Sequence, residues 1–384
     1  MKRCLDEYNE SFTDLSAMFR YFNRQQTHSK WQTCPVPKLR LEPLDTETPA
    51  NRADYAPDVS DDAIKDTAKG IGLAGFVTDP ATNTQVLYPI RKTAYKSMLD
   101  RAKLNGTVLP KLSRKTVART LNECMRVHTK STALLLVRDE KICAFHSGKD
   151  GDYSILPTIE LMDTMKEKMD ERFPGFEFVG GYTDHATTVA EFTFPGQREA
   201  LLKDYEQALT LERQKKKVAQ VVPGIFFTTS DTGVEKARIC ARLTGLDYPV
   251  PIGRVLEVKH EGHCKISDFG TNMDMVFGKF KDTIEALKSL LNINISNPIN
   301  VMKRMCKKLS VPRVPGREAI AMFEMTNGND ATTAHEIYYA LQEVLYNMKV
   351  AKCSPSKIFE VEETLTGALS ATWTNLDHPG KVDF

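Results

Sequence analysis

Short apolar runs and one helical repeat follow each other between residues 132 and 194 in an order that few folds accommodate. Residues 132–137 and 142–145 are apolar runs of strand length on either side of Arg138-Asp139-Glu140-Lys141, the arrangement of a β-hairpin. Pro157 suits the first turn of a helix, Leu161, Met162, Met165 and Met169 line one of its faces, and Pro174-Gly175 ends it. Residues 176–181 and 187–194 then read as two further strands. The order β-β-α-β-β predicts an α+β fold with a central antiparallel sheet covered by helices.

At 384 residues the chain is longer than a single core usually grows, which predicts two packed domains or one domain with an added helical layer. Residues 1–66 mix Phe12, Phe19, Tyr21, Phe22 and Trp31 with Pro35, Pro37, Pro43, Pro49 and Pro57, and read as a partly ordered arm and linker. Residues 67–265 form the expected core domain. It contains a strand at 85–90, a helix capped by Ser113 with Val117, Leu121 and Met125 on its buried stripe, a helix over 200–218, and strands at 221–229 and 254–260. Residues 266–384 read as a helical C-terminal domain. There Phe277, Phe280, Ile284, Leu287 and Leu291 suit either a buried helix or a helix-pairing seam. Thr333 and Glu336 make a capping box ahead of Ile337, Leu341, Leu345 and Met348, and Ser354-Pro355 opens a last helix through Leu365.

Hydrophobic residues at 41% and charged residues at 27% exclude a mostly disordered chain. No stretch approaches the roughly eighteen consecutive apolar residues of a membrane span, and the first residues lack the apolar run of a secretory signal. The expected setting is the cytoplasm, with no membrane partner. Eight cysteines, at 4, 34, 124, 143, 240, 264, 306 and 353, are scattered singly and read as reduced thiols rather than a zinc or redox motif.

A net charge of +2 conceals a reversal of sign along the chain. Residues 41–90 carry nine acids (Glu42, Asp45, Glu47, Asp54, Asp58, Asp61, Asp62, Asp66, Asp79) against three bases. Residues 91–130 carry eleven bases against two acids: Arg91, Lys92, Lys96, Arg101, Lys103, Lys111, Arg114, Lys115, Arg119, Arg126 and Lys130 against Asp100 and Glu123. Lys115, Arg119 and Arg126 fall on one helical face, away from the Val117 stripe. Such a ridge attracts polyanions, and Tyr88 and Tyr95 nearby are of the type that stacks on unpaired bases. The opposing reading is a solvated basic face neutralised by the acidic stretch folding back on it.

Other motifs are weaker. Gly70-Ile71-Gly72-Leu73-Ala74-Gly75 has the glycine spacing of a dinucleotide loop, but polar residues precede it where a strand is required, so no cofactor is expected. His260, His263 and Cys264, with Asp231, are potential metal ligands, although on a strand His260 and His263 would point to opposite faces. The turn around Ser230-Asp231-Thr232-Gly233 reads chiefly as the cap of a helix from Val234. No complete catalytic motif is present.

The segments 88–95, 144–148, 152–157, 181–185 and 229–233 resemble a phage/plasmid-like family, built on a domain of unknown function, that occurs in prophages, plasmids and gut bacterial genomes. The resemblance runs from about residue 70 to the C-terminus and defines no active site. It implies a mobile-element origin, a bacterial cytoplasm and a place in DNA metabolism. The combined expectation is a non-catalytic, homo-oligomeric protein that binds or anneals single-stranded DNA in recombination or replication. One rival is a metal-dependent enzyme acting on nucleic acid or nucleotides. Another is an assembly protein whose 277–291 helix builds contacts between copies.

Overall fold

The computed structural model describes residues 2–44, 51–78, 82–104, 108–127, 132–147, 153–212, 221–244, 249–253 and 255–384. The N-terminal part comprises β1 (Asn9–Phe12), α1 (Leu15–Thr27), β2 (Lys30–Pro35), β3 (Arg40–Pro43), α2 (Asp61–Lys69), β4 (Leu73–Thr78) and β5 (Gln85–Pro89). It continues with α3 (Lys92–Arg101), α4 (Arg114–Val127), β6 (Thr132–Arg138) and β7 (Lys141–Ser147). There follow α5 (Thr158–Arg172), β8 (Glu177–Asp184), β9 (Thr188–Thr193), α6 (Arg198–Glu212), β10 (Val222–Thr229), β11 (Ala237–Thr244), β12 (Val250–Pro251) and β13 (Leu256–Val258). The C-terminal helices are α7 (Ile266–Gly278), α8 (Phe280–Ser289), α9 (Pro298–Lys308), α10 (Arg313–Asn327), α11 (Ala334–Leu341), α12 (Glu343–Val350) and α13 (Pro355–Thr366).

The fold is α+β, with a large antiparallel sheet, covering helices and a helical C-terminal part. The expected β-β-α-β-β order is present as β6, β7, α5, β8 and β9. Its two hairpins belong to different sheets, however. β6 and β7 pair with β2 in a three-stranded sheet, whereas β8 and β9 lie in a seven-stranded sheet ordered β1-β8-β9-β10-β11-β12, with β13 also on β11. A further sheet, β3-β4-β5, abuts β7 through a bridge between Ile90 and Ile142. The β6–β7 turn places Asp139 and Glu140 at positive φ, the backbone that a tight hairpin requires.

Two hydrophobic cores divide the apolar packing. The smaller joins β3 to β5, α3, α4 and the β6–β7 hairpin through Leu41, Leu87, Leu121, Leu135 and Phe145. The larger packs Met165 of α5 and Phe227 and Ile239 of the large sheet with the C-terminal helices as far as Trp373. The chain passes from the larger core to the smaller after α1 and back between β7 and α5, not at residues 66 and 265. Nor is the segment before residue 66 an arm. Phe12, Met18 and Phe22 enter the larger core, β1 extends the large sheet, and Val36, Leu39 and Leu41 enter the smaller core. Two of the prolines that suggested a linker sit where a ladder tolerates them, Pro35 and Pro43 as the last residues of β2 and β3.

One more reading is corrected, and one pair of alternatives is decided for core burial. No helix starts at Val234, because residues 237–244 are β11, paired along its length with β10. Ile239, Ala241 and Leu243 enter the larger core while Arg238 and Arg242 meet Glu235 and Glu362, an alternation of period two that the capping residues before it obscured. The Phe277–Leu291 pattern is broken into α7 and α8 after Gly278, and all five of its apolar residues are buried in the larger core, so it provides no seam between copies.

The glycine loop at 70–75 follows a helix and opens a strand, the reverse of a dinucleotide site. Gly72 has φ +65°, and a Cβ there would run into the Arg114 guanidinium, which donates to the Leu44 carbonyl at 3.0 Å. Gly72→Ala therefore combines backbone strain with displacement of Arg114 and should cost about 1–3 kcal/mol in urea unfolding. An unchanged midpoint would show that neither constraint acts.

Candidate nucleic-acid interface

Helix α4 is set by its N-terminus and one side. Ser113 Oγ accepts from the Thr116 N–H at 3.2 Å, and Val117, Ala118, Leu121 and Met125 are buried against the smaller core. Asn122 fixes its rotation: Oδ1 accepts from the Leu41 N–H and Nδ2 donates to the Leu41 carbonyl, both at 2.9 Å, as a further ladder step on β3. Lys115, Arg119 and Arg126 are thereby left exposed. On α3, Thr93 Oγ1 donates to the Cys143 carbonyl at 2.5 Å and Ala94 and Met98 are buried, which turns Lys92 and Lys96 outward. Lys103 and Lys111, between the two helices, are also exposed.

These seven cations form no ion pair with a described residue. Asp100 on α3 and Glu123 on α4 are exposed among them and offset part of their charge. Among the described residues, no carboxylate of the acidic stretch makes an ion pair with these cations. Asp62 pairs with Lys2, Asp58 with Lys30 at 3.9 Å, Asp61 with Arg52 at 3.4 Å, Glu42 with Arg40 at 2.8 Å and Asp66 with Lys141 at 2.6 Å. Asp45, Glu47 and Asp79, like Lys130 on the basic side, lie outside the described residues.

Five members of the expected interface have other roles. Arg91 is 1% exposed and donates to the Arg3, Cys4 and Leu5 carbonyls. Arg101 lies over the Phe145 ring and donates to the carbonyls of His146 at 2.8 Å and Thr132 at 2.6 Å. Arg114 is held by Leu44. Tyr88 is buried with its hydroxyl on Asp58 at 3.1 Å, and Tyr95 is half-buried against the smaller core, where burial raises its pKa. Sequence spacing distinguishes neither a guanidinium that ties backbone together from one that faces water, nor a packed ring from a free one.

Residues 144–147, 153–157, 181–185 and 229–233 contribute to a polar seam between the cores. Asp231 accepts from Arg138 Nη1 at 2.8 Å and from the Thr158 N–H and hydroxyl at 2.8 and 2.6 Å, so it caps α5 from the turn after β10. His146 stacks on Tyr153 with ring centroids 3.7 Å apart, and Tyr153 stacks on His260 at 5.5 Å. His146 Nε2 donates to the Thr232 carbonyl, His185 Nε2 to that of Leu5 and His260 Nδ1 to that of Ser154. Burial holds all three imidazoles neutral: His146 is brought down to about 4, His185 to about 2 with help from the Arg91 charge, and His260 is also lowered.

This geometry does not assemble the metal-ligand set of His260, His263, Cys264 and Asp231. His260 is buried beneath Tyr153, His263 is exposed at φ +63°, and the Asp231 carboxylate is engaged by Arg138 and Thr158. Among the described residues no group of three or more His, Cys, Asp or Glu side chains is placed to hold a metal ion. The sequence reading gave Arg138 and Lys141 no role beyond the connection of a hairpin; both are buried, and their acids come from residues 231, 6 and 66. Neither known protein families, curated proteins nor solved structures offer a match to this chain. Among the described residues no helix is long and apolar enough to cross a membrane.

Two outcomes follow for stability. Because the folded histidines resist protonation, the unfolded chain binds more protons between pH about 6.5 and 4, so stability falls as pH drops through that window. Urea unfolding at pH 5 should give a stability lower than at pH 7 by about 2 kcal/mol or more, and equal values would contradict neutral burial. Lys141→Met leaves Asp6 and Asp66 without their shared cation and should cost about 3–5 kcal/mol, read from the same unfolding curves.

Proposed function

We propose that this chain binds single-stranded nucleic acid through the cationic face of α3 and α4, as a non-catalytic DNA-binding or annealing protein of a phage, prophage or plasmid. The observation that carries the reading is the fate of the acidic stretch: its described ion pairs go to Lys2, Lys30, Arg40, Arg52 and Lys141, leaving Lys92, Lys96, Lys103, Lys111, Lys115, Arg119 and Arg126 exposed. Cations on a surface of this kind gain affinity for a phosphate backbone by releasing its counterions. The resemblance to a mobile-element family supports the DNA context.

Self-association has separate support. Val314, Met322 and Met325 of α10 and Tyr346 and Val350 of α12, two helices that pack side by side, are exposed apolar residues.

Titration of a labelled oligonucleotide at several salt concentrations tests the main reading. With about five phosphates engaged, log affinity should fall against log salt with a slope near −3.5. The double charge reversal Lys115→Glu with Arg119→Glu should weaken binding and flatten the slope by about 1.4. Affinity that ignores salt, or ignores this double variant, contradicts the proposal.

A further inference from the structure

Where α1 and the start of α5 approach the turn after β10, they enclose a cavity of about 150 Å³ that takes no part in the cationic face. One wall is the Trp31 ring, from the edge strand β2. The rest of its apolar lining includes Phe22, Ile155 and Pro157. Arg138 and Asp231 supply its charged lining.

Three features distinguish this cavity from a packing defect. Trp31 is held in place, since its other neighbours are the Tyr153 ring at 5.7 Å and the His146 ring at 6.3 Å, and Tyr153 is itself stacked on His260. A ring held this way loses little freedom on stacking against a ligand. Arg138 is 3% exposed and lines the cavity, held there by its Nη1 bond to Asp231 at 2.8 Å and by Asp139, 4.0 Å from its Nε. Asp231, 19% exposed, receives one bond on Oδ2 and two on Oδ1, which leaves acceptor capacity on Oδ2.

We infer that this cavity is a slot for a single pyrimidine base. A volume of about this size takes one six-membered ring and is too small for a fused pair. A pyrimidine stacks one face on Trp31 and brings a carbonyl to the Arg138 donor. Its ring N–H in uracil or thymine, or its amino group in cytosine, donates to Asp231. A phenyl ring fills the same space but offers no polar atom to Arg138 or Asp231, so the polar lining favours a heterocycle over an aromatic side chain of a peptide. The slot deepens the nucleic-acid reading and rests on it for its biological meaning, because it adds base preference to a backbone attraction that has none.

The test uses the full-length protein and free nucleosides, which carry no phosphate. The chain has two tryptophans, and Trp373 is buried with its N–H on the Ala368 carbonyl, so fluorescence quenching by an added base reports Trp31. Uridine and cytidine should quench saturably at millimolar concentration. Adenosine should bind at least about tenfold more weakly, and Ile155→Trp, which fills the slot from its rim, should abolish binding as read by calorimetry. Trp31→Phe, which keeps a ring in the wall, should retain calorimetric binding within severalfold, separating slot loss from misfolding. No saturable binding of either pyrimidine overturns the slot, while salt-dependent oligonucleotide binding in the same preparation leaves the cationic face standing. Equal binding of adenosine, or tighter binding of phenylalanine amide, also overturns it.

Discussion

The Lys141 ammonium is wholly buried, and two carboxylates from distant parts of the chain keep it charged there: Asp6 at 2.9 Å and Asp66 at 2.6 Å. A lone ammonium in such a place would lose its hydration with nothing in exchange, so the three segments that carry these groups must come together or the cation must leave. That requirement ties the N-terminal turn and the acidic helix α2 to the β6–β7 hairpin. Arg91 reinforces the knot, with Nη1 3.8 Å from Asp6 and also on the Leu5 carbonyl, and Nη2 on the carbonyls of Arg3 and Cys4. Asp62 and Asp66 are thereby committed to the N-terminus and the hairpin, and the other described ion pairs of the acidic stretch go to Lys30, Arg40 and Arg52 rather than to the basic helices.

The same principle, buried charge satisfied across long sequence separations, shapes the boundary between the cores. Arg138 and Asp231 join the hairpin to the large sheet, and Asp231 in turn caps α5, the helix that begins the larger core. Three neutral imidazoles fill the space around them, each donating to a backbone carbonyl. On the outer face of the large sheet, Arg242 and Glu362 form a buried bidentate pair that seats α13, with the Arg242 guanidinium 3.6 Å from the Phe226 ring centroid. Polar specificity at each junction is laid over apolar packing that is not itself directional.

Local pattern carried much of the fold. Leu161, Met162, Met165 and Met169 declare α5, Ser113 with Val117, Leu121 and Met125 declares α4, and Thr333 accepts from the Glu336 N–H as a capping box requires. Period and capping are properties of neighbours in sequence, so they can be read there. What could not be read is pairing over distance. The hairpins on either side of α5 look alike in sequence, and only their packing partners assign them to different sheets. Arg91 and Lys92 are adjacent and chemically similar, yet one is a buried tie and the other faces water, a difference set by the carbonyls of residues 3–5. The candidate site was legible as a basic ridge on α4, and illegible in which of its cations had been recruited by the fold.

The account therefore stands on a division of labour among cations: Arg91, Arg101, Arg114, Arg138 and Lys141 hold the fold, while Lys92, Lys96, Lys103, Lys111 and Lys115 remain available to a polyanion. Lysine acetylation footprinting with mass spectrometry, with and without single-stranded DNA, measures that division directly. The account predicts rapid modification of the five exposed lysines in the free protein, protection of them by DNA, and an inert Lys141 in both states. Slow modification of the five without DNA, or protection confined to other lysines when DNA is added, would contradict it.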